Sequence, residues 1–262
     1  MNRALFIVFV IFAVIVSACA PPVGPENPDQ SATAPTEGLL AYYPFSGNAN
    51  DASGNGSHGT PSNVTLATDR NGDPNAAYLF NGTDSEIIIA APDPAPADLD
   101  DWAPNRPSSG LTLSAWVELD GVPNTAFTFS PILMKSAASG SGANSFMYRM
   151  LICSGRDSVS IAIGDWNTSS AASSLTFEAD PGTVVWYHVA STWDGTTARF
   201  YLNGALVGEN DFTPTMPQDN LDLVIGADYP GAYESFNGRI DEVRIYDRAL
   251  TLEEIRILAE VD

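Results

Sequence analysis

Apolar and polar residues alternate along many short stretches of this chain, and the plainest case is the segment from Leu111 to Leu119. Its odd-numbered positions are apolar and most of its even-numbered positions are polar, which is the period of a strand with one buried face. Turn residues separate similar segments at 39–43, 77–80, 86–90, 132–135, 146–153, 158–164, 186–192, 198–202, 205–208, 221–227 and 239–246. About a dozen short strands with almost no helix predict an all-β fold, a two-sheet antiparallel jelly-roll sandwich.

The alternation breaks in the strand predicted for Arg239–Tyr246. Ile240, Val243 and Ile245 cannot all face one side of a sheet at a strict period of two. We therefore predict a β-bulge at Asp241-Glu242. Because a bulge redirects a side chain, it favours a role in ligand binding for one of these carboxylates.

A short C-terminal helix follows that strand. Thr251 and Glu254 have the spacing of a capping box, in which each side chain bonds to the backbone of the other. Leu252, Ile255 and Ala259 then form one apolar side. The prediction is a single helix that ends the domain.

Residues 1–18 predict a lipoprotein signal peptide rather than part of the fold. The apolar run 4–16 is too short for a comfortable membrane span. The tetrapeptide Val16-Ser17-Ala18-Cys19 resembles a bacterial lipobox, which implies that Cys19 carries a diacylglycerol and becomes the mature N-terminus. An ordinary secretory signal cleaved near Ala18 or Ala20 is the alternative.

Residues 19–37 form a Pro-rich segment without any aromatic residue, which predicts a flexible linker. It would hold the domain at 38–262 away from the membrane. Because Ala20 rather than Asp follows Cys19, the resemblance favours the outer membrane. We therefore expect a cell-envelope protein, attached to the membrane through a lipid anchor at Cys19 and displayed at the outer membrane or cell surface.

Charge and residue counts exclude several classes of function. The formal net charge is −21, so repulsion disfavours binding to the phosphates of nucleic acid. Solubility explains most of the excess acid, and clustered carboxylates that bind a divalent cation are the alternative. With 2 histidines, the chain offers little material for a zinc site or a histidine-dependent triad.

Several stretches together resemble the LamG-like jelly-roll domains of the concanavalin A-like lectin/glucanase superfamily. The resemblance covers nearly all of the chain after Gly38 and rests on residues 43–59, 68–82, 111–119, 186–204 and 236–255. It implies that Asp69 and Arg70 form a structural pair. It also favours packing beneath a loop for Trp116, whose alternative role is an aromatic platform for a sugar ring.

The loop at 46–60 offers many oxygens on a chain that can turn sharply, as a calcium ion requires. We predict Asp51 and Asn55 as calcium ligands there. The resemblance implies a structural cation, completed by Asp241 because the first and last strands are neighbours in such jelly rolls. The alternative is that Asp51 and Asn55 form Asx turns.

The predicted function is a non-catalytic surface module that binds a glycan or a partner protein. Retaining glycosidases of this fold carry two glutamates on one strand, and the sequence lacks that pattern. The candidate ligand contacts are aromatic residues on predicted loops: Trp102, Trp166, Tyr229 and Tyr233. A structural domain of the cell envelope is the main alternative, and an unusual glycoside hydrolase is the other.

Overall fold

The structure, a computed structural model, describes residues 33–92, 104, 110–120, 129–136, 145–153, 158–165, 169–172, 184–214, 220–231 and 235–261. The strands are β1 (Leu39–Tyr43), β2 (Thr60–Ser62), β3 (Thr65–Ala67), β4 (Ala77–Asn81), β5 (Glu86–Ile89), β6 (Leu111–Leu119), β7 (Phe129–Ser136), β8 (Ser145–Cys153), β9 (Ser158–Asp165), β10 (Ser169–Ala172), β11 (Trp186–Trp193), β12 (Thr197–Leu202), β13 (Ala205–Asp211), β14 (Leu223–Ile225) and β15 (Asn237–Tyr246). One helix, α1, follows at Leu252–Glu260.

These strands form two antiparallel sheets. The eight-stranded sheet has the order β13-β12-β11-β6-β15-β4-β3, and β1 also pairs with β15. The seven-stranded sheet has the order β10-β9-β8-β7-β14-β5-β2. This topology confirms the predicted two-sheet sandwich.

The core lies between the two sheets and is built from alternate residues of each strand. Leu113 and Val117 of β6 meet Leu133 of β7 and Ile225 of β14 in one buried apolar cluster. Because side chains alternate across a strand, the even-numbered residues of β6 lie on the outer face of the eight-stranded sheet. Thr112, Ser114 and Glu118 are nevertheless buried, so something covers that face.

Helix α1 covers part of this outer face. Its residues Ile255 and Leu258 pack with Ala190, Tyr201 and Tyr246 in a second apolar cluster. The predicted capping box is present: Thr251 Oγ1 accepts from the Glu254 N–H, and Glu254 Oε2 accepts from the Thr251 N–H at 2.8 Å. Within the described ranges, no helix is long and apolar enough to cross a membrane.

The compact unit begins at Thr33, five residues before the boundary predicted from composition. Ala34 and Leu39 pack against the cluster beneath α1. Tyr246 donates a hydrogen bond to Pro35 O at 3.0 Å, and Arg248 Nε donates one to Glu37 O at 3.0 Å. We call residues 33–38 the strap, because they bind the start of the domain to its last strand.

Candidate functional site

The predicted β-bulge is present in β15. The pairing register of β15 with β6 shifts between Asp241 and Arg244, and Glu242 has a φ of 53°. A non-glycine residue rarely adopts this conformation outside special positions. The bulge leaves both carboxylates buried, with 2% of Asp241 and 5% of Glu242 exposed.

Glu242 belongs to a closed polar group on the outer face of the eight-stranded sheet. Its two carboxylate oxygens accept hydrogen bonds from the Tyr42 hydroxyl at 2.9 and 3.0 Å. It also forms an ion pair with Arg244, whose guanidinium lies 4.1 Å from the centroid of the Tyr42 ring. Burial raises the pKa of Tyr42, so its hydroxyl keeps its proton and remains a donor. The group therefore joins β1 to β15.

Asp241 faces Arg70. Its Oδ1 accepts from the Glu242 N–H at 2.7 Å, and its Oδ2 lies 3.7 Å from Arg70. Burial and, to a smaller extent, the neighbouring charge of Glu242 raise the pKa of Asp241 to about 8. This carboxyl group consequently holds a proton more readily than an ordinary aspartate does.

Arg70 connects three parts of the fold. Besides its ion pair with Asp241, it stacks 4.5 Å above the centroid of the Trp116 ring and donates to Val261 O at 2.5 Å. The predicted pair with Asp69 stays a prediction. Asp69 Oδ1 accepts backbone N–H groups within its own turn. Trp116 packs beneath a loop residue, as favoured above.

His188 is the cross-strand partner of Trp116 and is 1% exposed. Its Nε2 lies 2.9 Å from Ser114 Oγ, and the two aromatic rings are 5.5 Å apart. Burial lowers the pKa of His188 to about 3, with a further contribution from the charges of Arg244 and Arg70. It is therefore neutral in the folded protein at neutral pH, which fits the packing role of a buried histidine.

The loop that contains Asp51 and Asn55 covers the outer edge of β1. Asp51 Oδ1 accepts from the N–H groups of Tyr42 at 3.1 Å and Ser53 at 2.9 Å. Its Oδ2 accepts from the Ser57 N–H at 3.0 Å. Asn55 Nδ2 donates to Leu40 O at 2.9 Å. These side chains bond to the backbone groups of an edge strand, which would otherwise be open to another chain.

The three predicted calcium ligands are not brought together. Tyr42 uses its N–H and C=O groups for Asp51 and Ala52, so both groups point away from β15. Asp51 consequently lies on the opposite side of β1 from Asp241, about two strand spacings or roughly 10 Å away. Calcium ligands lie about 2.3–2.6 Å from the ion, so a shared ion would require these two carboxylates to lie closer together than this arrangement places them.

The Asp51 oxygens already accept three backbone N–H groups, and the pKa of Asp241 is raised. In the part of the chain that the structure describes, no three His, Cys, Asp or Glu residues form a group suited to a metal ion. Asp51 does form the Asx turn that was the alternative, with Ser53 as its donor. Calcium binding therefore stays an untested prediction.

Of the predicted ligand contacts, Tyr229 alone lies among the described residues. It is half-buried and packs against Val224 and Ala227. Trp102, Trp166, Tyr233 and the lipidation candidate Cys19 lie outside the residues that the structure describes.

Tyr229 lies beside a row of side chains that the sequence did not indicate. Arg149, Met134, Val224 and Ile88 are consecutive cross-strand partners on β8, β7, β14 and β5. The residues that flank Arg149, Val224 and Ile88 along their strands belong to the core, as does Leu133 beside Met134, so this outer row faces away from it. Arg149 is 5% exposed and Met134 is 2% exposed. The one feature of the sequence that could have indicated this row is the single arginine within the otherwise largely apolar strand β8.

The border of the outer row is also polar. Glu86 of β5 is 8% exposed, and its Oε2 accepts from the Gly231 N–H at 2.9 Å. This bond holds the loop that contains Tyr229 against β5. The outer face of the seven-stranded sheet thus carries apolar side chains, a guanidinium and an aromatic ring. Arg149, Met134 and Val224 are at most 5% exposed, so a ligand would first meet the half-buried residues Ile88 and Tyr229.

Comparisons with known proteins agree on the fold. A family model described as the concanavalin A-like lectin/glucanases superfamily matches residues 81–256. One similar structure is domain 4 of AbnA, a GH43 extracellular arabinanase from Geobacillus stearothermophilus, in complex with arabinotriose. It is 19% identical to this chain with a TM-score of 0.61, and the match covers 85% of this chain and 98% of that chain. Trypanosoma rangeli sialidase is 20% identical with a TM-score of 0.60, over 87% of this chain and 33% of that chain.

Two further proteins are similar over part of their length. The receptor binding domain of botulinum neurotoxin C/D mosaic serotype is 16% identical with a TM-score of 0.63, over 86% of this chain and 52% of that chain. The human adhesion G-protein coupled receptor D1 is 35% identical over 113 residues, which are 40% of this chain and 12% of the receptor. The chain therefore spans a small fraction of this receptor, and the structural likenesses show a shared fold.

Proposed function

The chain belongs to the concanavalin A-like lectin/glucanase superfamily, and from this we propose that it is a non-catalytic module that binds a neutral glycan on the outer face of its seven-stranded sheet. One fold carries many functions, so the proposal has to rest on a site.

The observation that carries the proposal is the outer row. Its buried arginine, Arg149, lies beside the apolar side chains of Met134 and Val224 on a face that does not belong to the core. A guanidinium supplies several hydrogen-bond donors in a fixed geometry, which suits ring and hydroxyl oxygens of a sugar. Apolar neighbours suit its C–H faces.

Charge further restricts the ligand. With a net charge of −21, the domain repels polyanions over long distances. A neutral oligosaccharide avoids this repulsion. The AbnA domain, whose structure was solved with arabinotriose, supports carbohydrate as the ligand class.

Calorimetric titration tests the proposal on residues 33–262, the compact unit that contains all the described residues. The probes are arabinotriose and a panel of neutral oligosaccharides. We expect at least one to bind, and Arg149→Met to weaken this binding roughly tenfold or more. Tyr229→Ala should weaken it as well. Arg199→Met is the matched control, because Arg199 pairs with Asp194 at a hairpin of the other sheet.

Three results would refute the proposal. If no saccharide binds, the structural role in the cell envelope becomes the better interpretation. If the domain hydrolyses a bound glycan, the module is an enzyme. If Arg149→Met and Tyr229→Ala bind as tightly as the parent, the outer row is not the site.

We also propose that the module is attached to the cell envelope through a lipid on Cys19, because residues 16–19 resemble a lipobox. Mass spectrometry of the mature N-terminal peptide should show an acylated cysteine. Replacement of Cys19 by Ser should release the protein from the membrane fraction. An unmodified N-terminus near Ala18 or Ala20 would instead indicate an ordinary secretory signal.

A further inference from the structure

Among the described residues, two groups cover the outer face of the eight-stranded sheet from one end. Helix α1 packs on Ala190 and Tyr246, and Arg70 covers Trp116 in the next part of the face. Beyond Arg70, a last set of cross-strand partners crosses the sheet. We call it the end row, and it consists of Trp186, Glu118, Arg239, Leu79 and Thr65 on β11, β6, β15, β4 and β3.

The end row presents apolar surface to solvent. Leu79 is 38% exposed, and Val184, two residues before Trp186, is 55% exposed. Trp186 itself is half-buried. Because the residues that flank Trp186 and Leu79 along their strands are part of the core, these side chains point outward by alternation.

The polar groups of the end row have hydrogen-bonding capacity left over. Glu118 Oε2 lies 3.8 Å from Arg239 Nε, which is beyond hydrogen-bond length. Arg239 Nε is buried and has no hydrogen-bond partner among the described residues. Burial raises the pKa of Glu118, opposed by the charge of Arg239. A buried donor without a partner is costly, so this position favours a ligand that can accept its proton in a hydrogen bond.

We propose that the end row is a second binding site, separate from the outer row, and that its occupant is a neutral saccharide. The indole of Trp186 stacks on a sugar ring, with Leu79 and Val184 against its C–H groups. Glu118 accepts from one hydroxyl, and Arg239 donates to a neighbouring oxygen. The opposite charges of Glu118 and Arg239 leave the site without a net charge of its own, which fits a neutral ligand.

The test uses the full chain in detergent and four probes: arabinotriose, cellotetraose, maltotetraose and mannotetraose. Calorimetric titration compares the parent with Trp186→Ala, and with Glu118→Gln as a change that keeps the side-chain shape. Leu206→Ala is the matched control, since Leu206 is a 46% exposed apolar residue on the edge strand β13. Thermal unfolding of each variant shows that it is folded before it is titrated.

We expect Trp186→Ala and Glu118→Gln each to lower the affinity for a bound saccharide roughly tenfold, while Leu206→Ala has no effect. The proposed function rests on Arg149, so the two sites can fail separately. If Arg149→Met alone abolishes binding, the outer row stands and the end-row site is refuted. If Trp186→Ala alone abolishes it, the end row stands without the outer row.

Two other outcomes also overturn the proposal. One is that none of the four saccharides binds, in which case both sites fail. The other is that Trp186→Ala changes the oligomeric state and leaves saccharide affinity unchanged. The end row would then be a contact between copies of the chain.

Discussion

Replacing His188 with glutamine should remove a large part of the acid sensitivity of this domain. His188 is buried against Trp116 and bonded to Ser114, and its pKa is lowered to about 3. In the unfolded chain a histidine has a pKa of about 6.5. The unfolded state therefore takes up a proton between these two values that the folded state does not. This contribution to stability is fully present above about pH 6.5 and is lost as the pH falls toward 3.

The size of the effect follows from this difference in pKa. Each pH unit between the two values costs about 1.4 kcal/mol of unfolding free energy. Between pH 7 and pH 4.5 the parent should lose roughly 2.5 kcal/mol through His188 alone. Glutamine does not titrate, and its amide can still bond to Ser114. The variant should be less stable than the parent at pH 7 because it loses the ring contact, by about 1–2 kcal/mol.

Urea denaturation of residues 33–262, followed by tryptophan fluorescence, measures this difference. Other carboxylates titrate in the same pH range, so the decisive quantity is the change in variant-minus-parent free energy between pH 7 and pH 4.5. His58→Gln, at the other histidine of the chain, controls for loss of a histidine on an exposed loop. If the curves of the parent and of His188→Gln stay parallel, His188 is not the buried neutral group described above.

Three further substitutions test the site. Arg70→Ala should lower the unfolding free energy measured in urea by about 2–4 kcal/mol, since it leaves Asp241 and the Val261 carbonyl without this partner. Arg70→Lys should recover only part of the loss, because lysine lacks the planar guanidinium that stacks on Trp116. Equal stability of the Ala and Lys variants would contradict this role of the guanidinium. Asp51→Ala should lower the Tm by about 5–15 °C in chelator as well as in calcium, because the lost bonds are to backbone N–H groups. A calcium-induced rise in Tm that disappears in both Asp51→Ala and Asp241→Ala would show a shared ion instead. Gly238→Ala should unfold the domain or lower its unfolding free energy by more than about 3 kcal/mol, because a Cβ would lie 2.0 Å from the Glu118 carbonyl oxygen and the φ of this residue is 137°. Native-like circular dichroism and an unchanged Tm would contradict the close approach of the two backbones.

Local patterns in the sequence predicted the local structure well. The strand at Leu111–Leu119 has the predicted bounds, and the break in period at Asp241-Glu242 is a bulge. The capping box at Thr251 has the predicted bonds. Each of these features depends on residues a few positions apart, so the spacing along the chain is sufficient to find it.

Contacts between distant parts of the chain could not be read in the same way. The sequence predicted a pair of Arg70 with Asp69, and it did not indicate that Arg70 also lies 3.7 Å from Asp241, on the last strand. The loop at 46–60 offered oxygens for an ion, but the sequence did not indicate that Asp51 accepts from the N–H groups of Tyr42 in β1 and of Ser57 in the same loop. Cross-strand rows such as the end row depend on the register of five strands, which no local pattern fixes.

The strap has a mechanical consequence for a domain held by its N-terminal side. Tension carried through residue 33 reaches the fold where Pro35 and Glu37 are bonded to the last strand and its following turn. Once the strap is pulled away, the force acts on β1, which pairs with the last strand, β15, at four register positions. First and last strands therefore resist extraction as one unit, and a pull that separates them must also break the contacts of Tyr42 with Glu242 and Arg244. A force applied at residue 33 would thus be resisted first by the pairing of β1 with β15, before it reached the strands on either side of them.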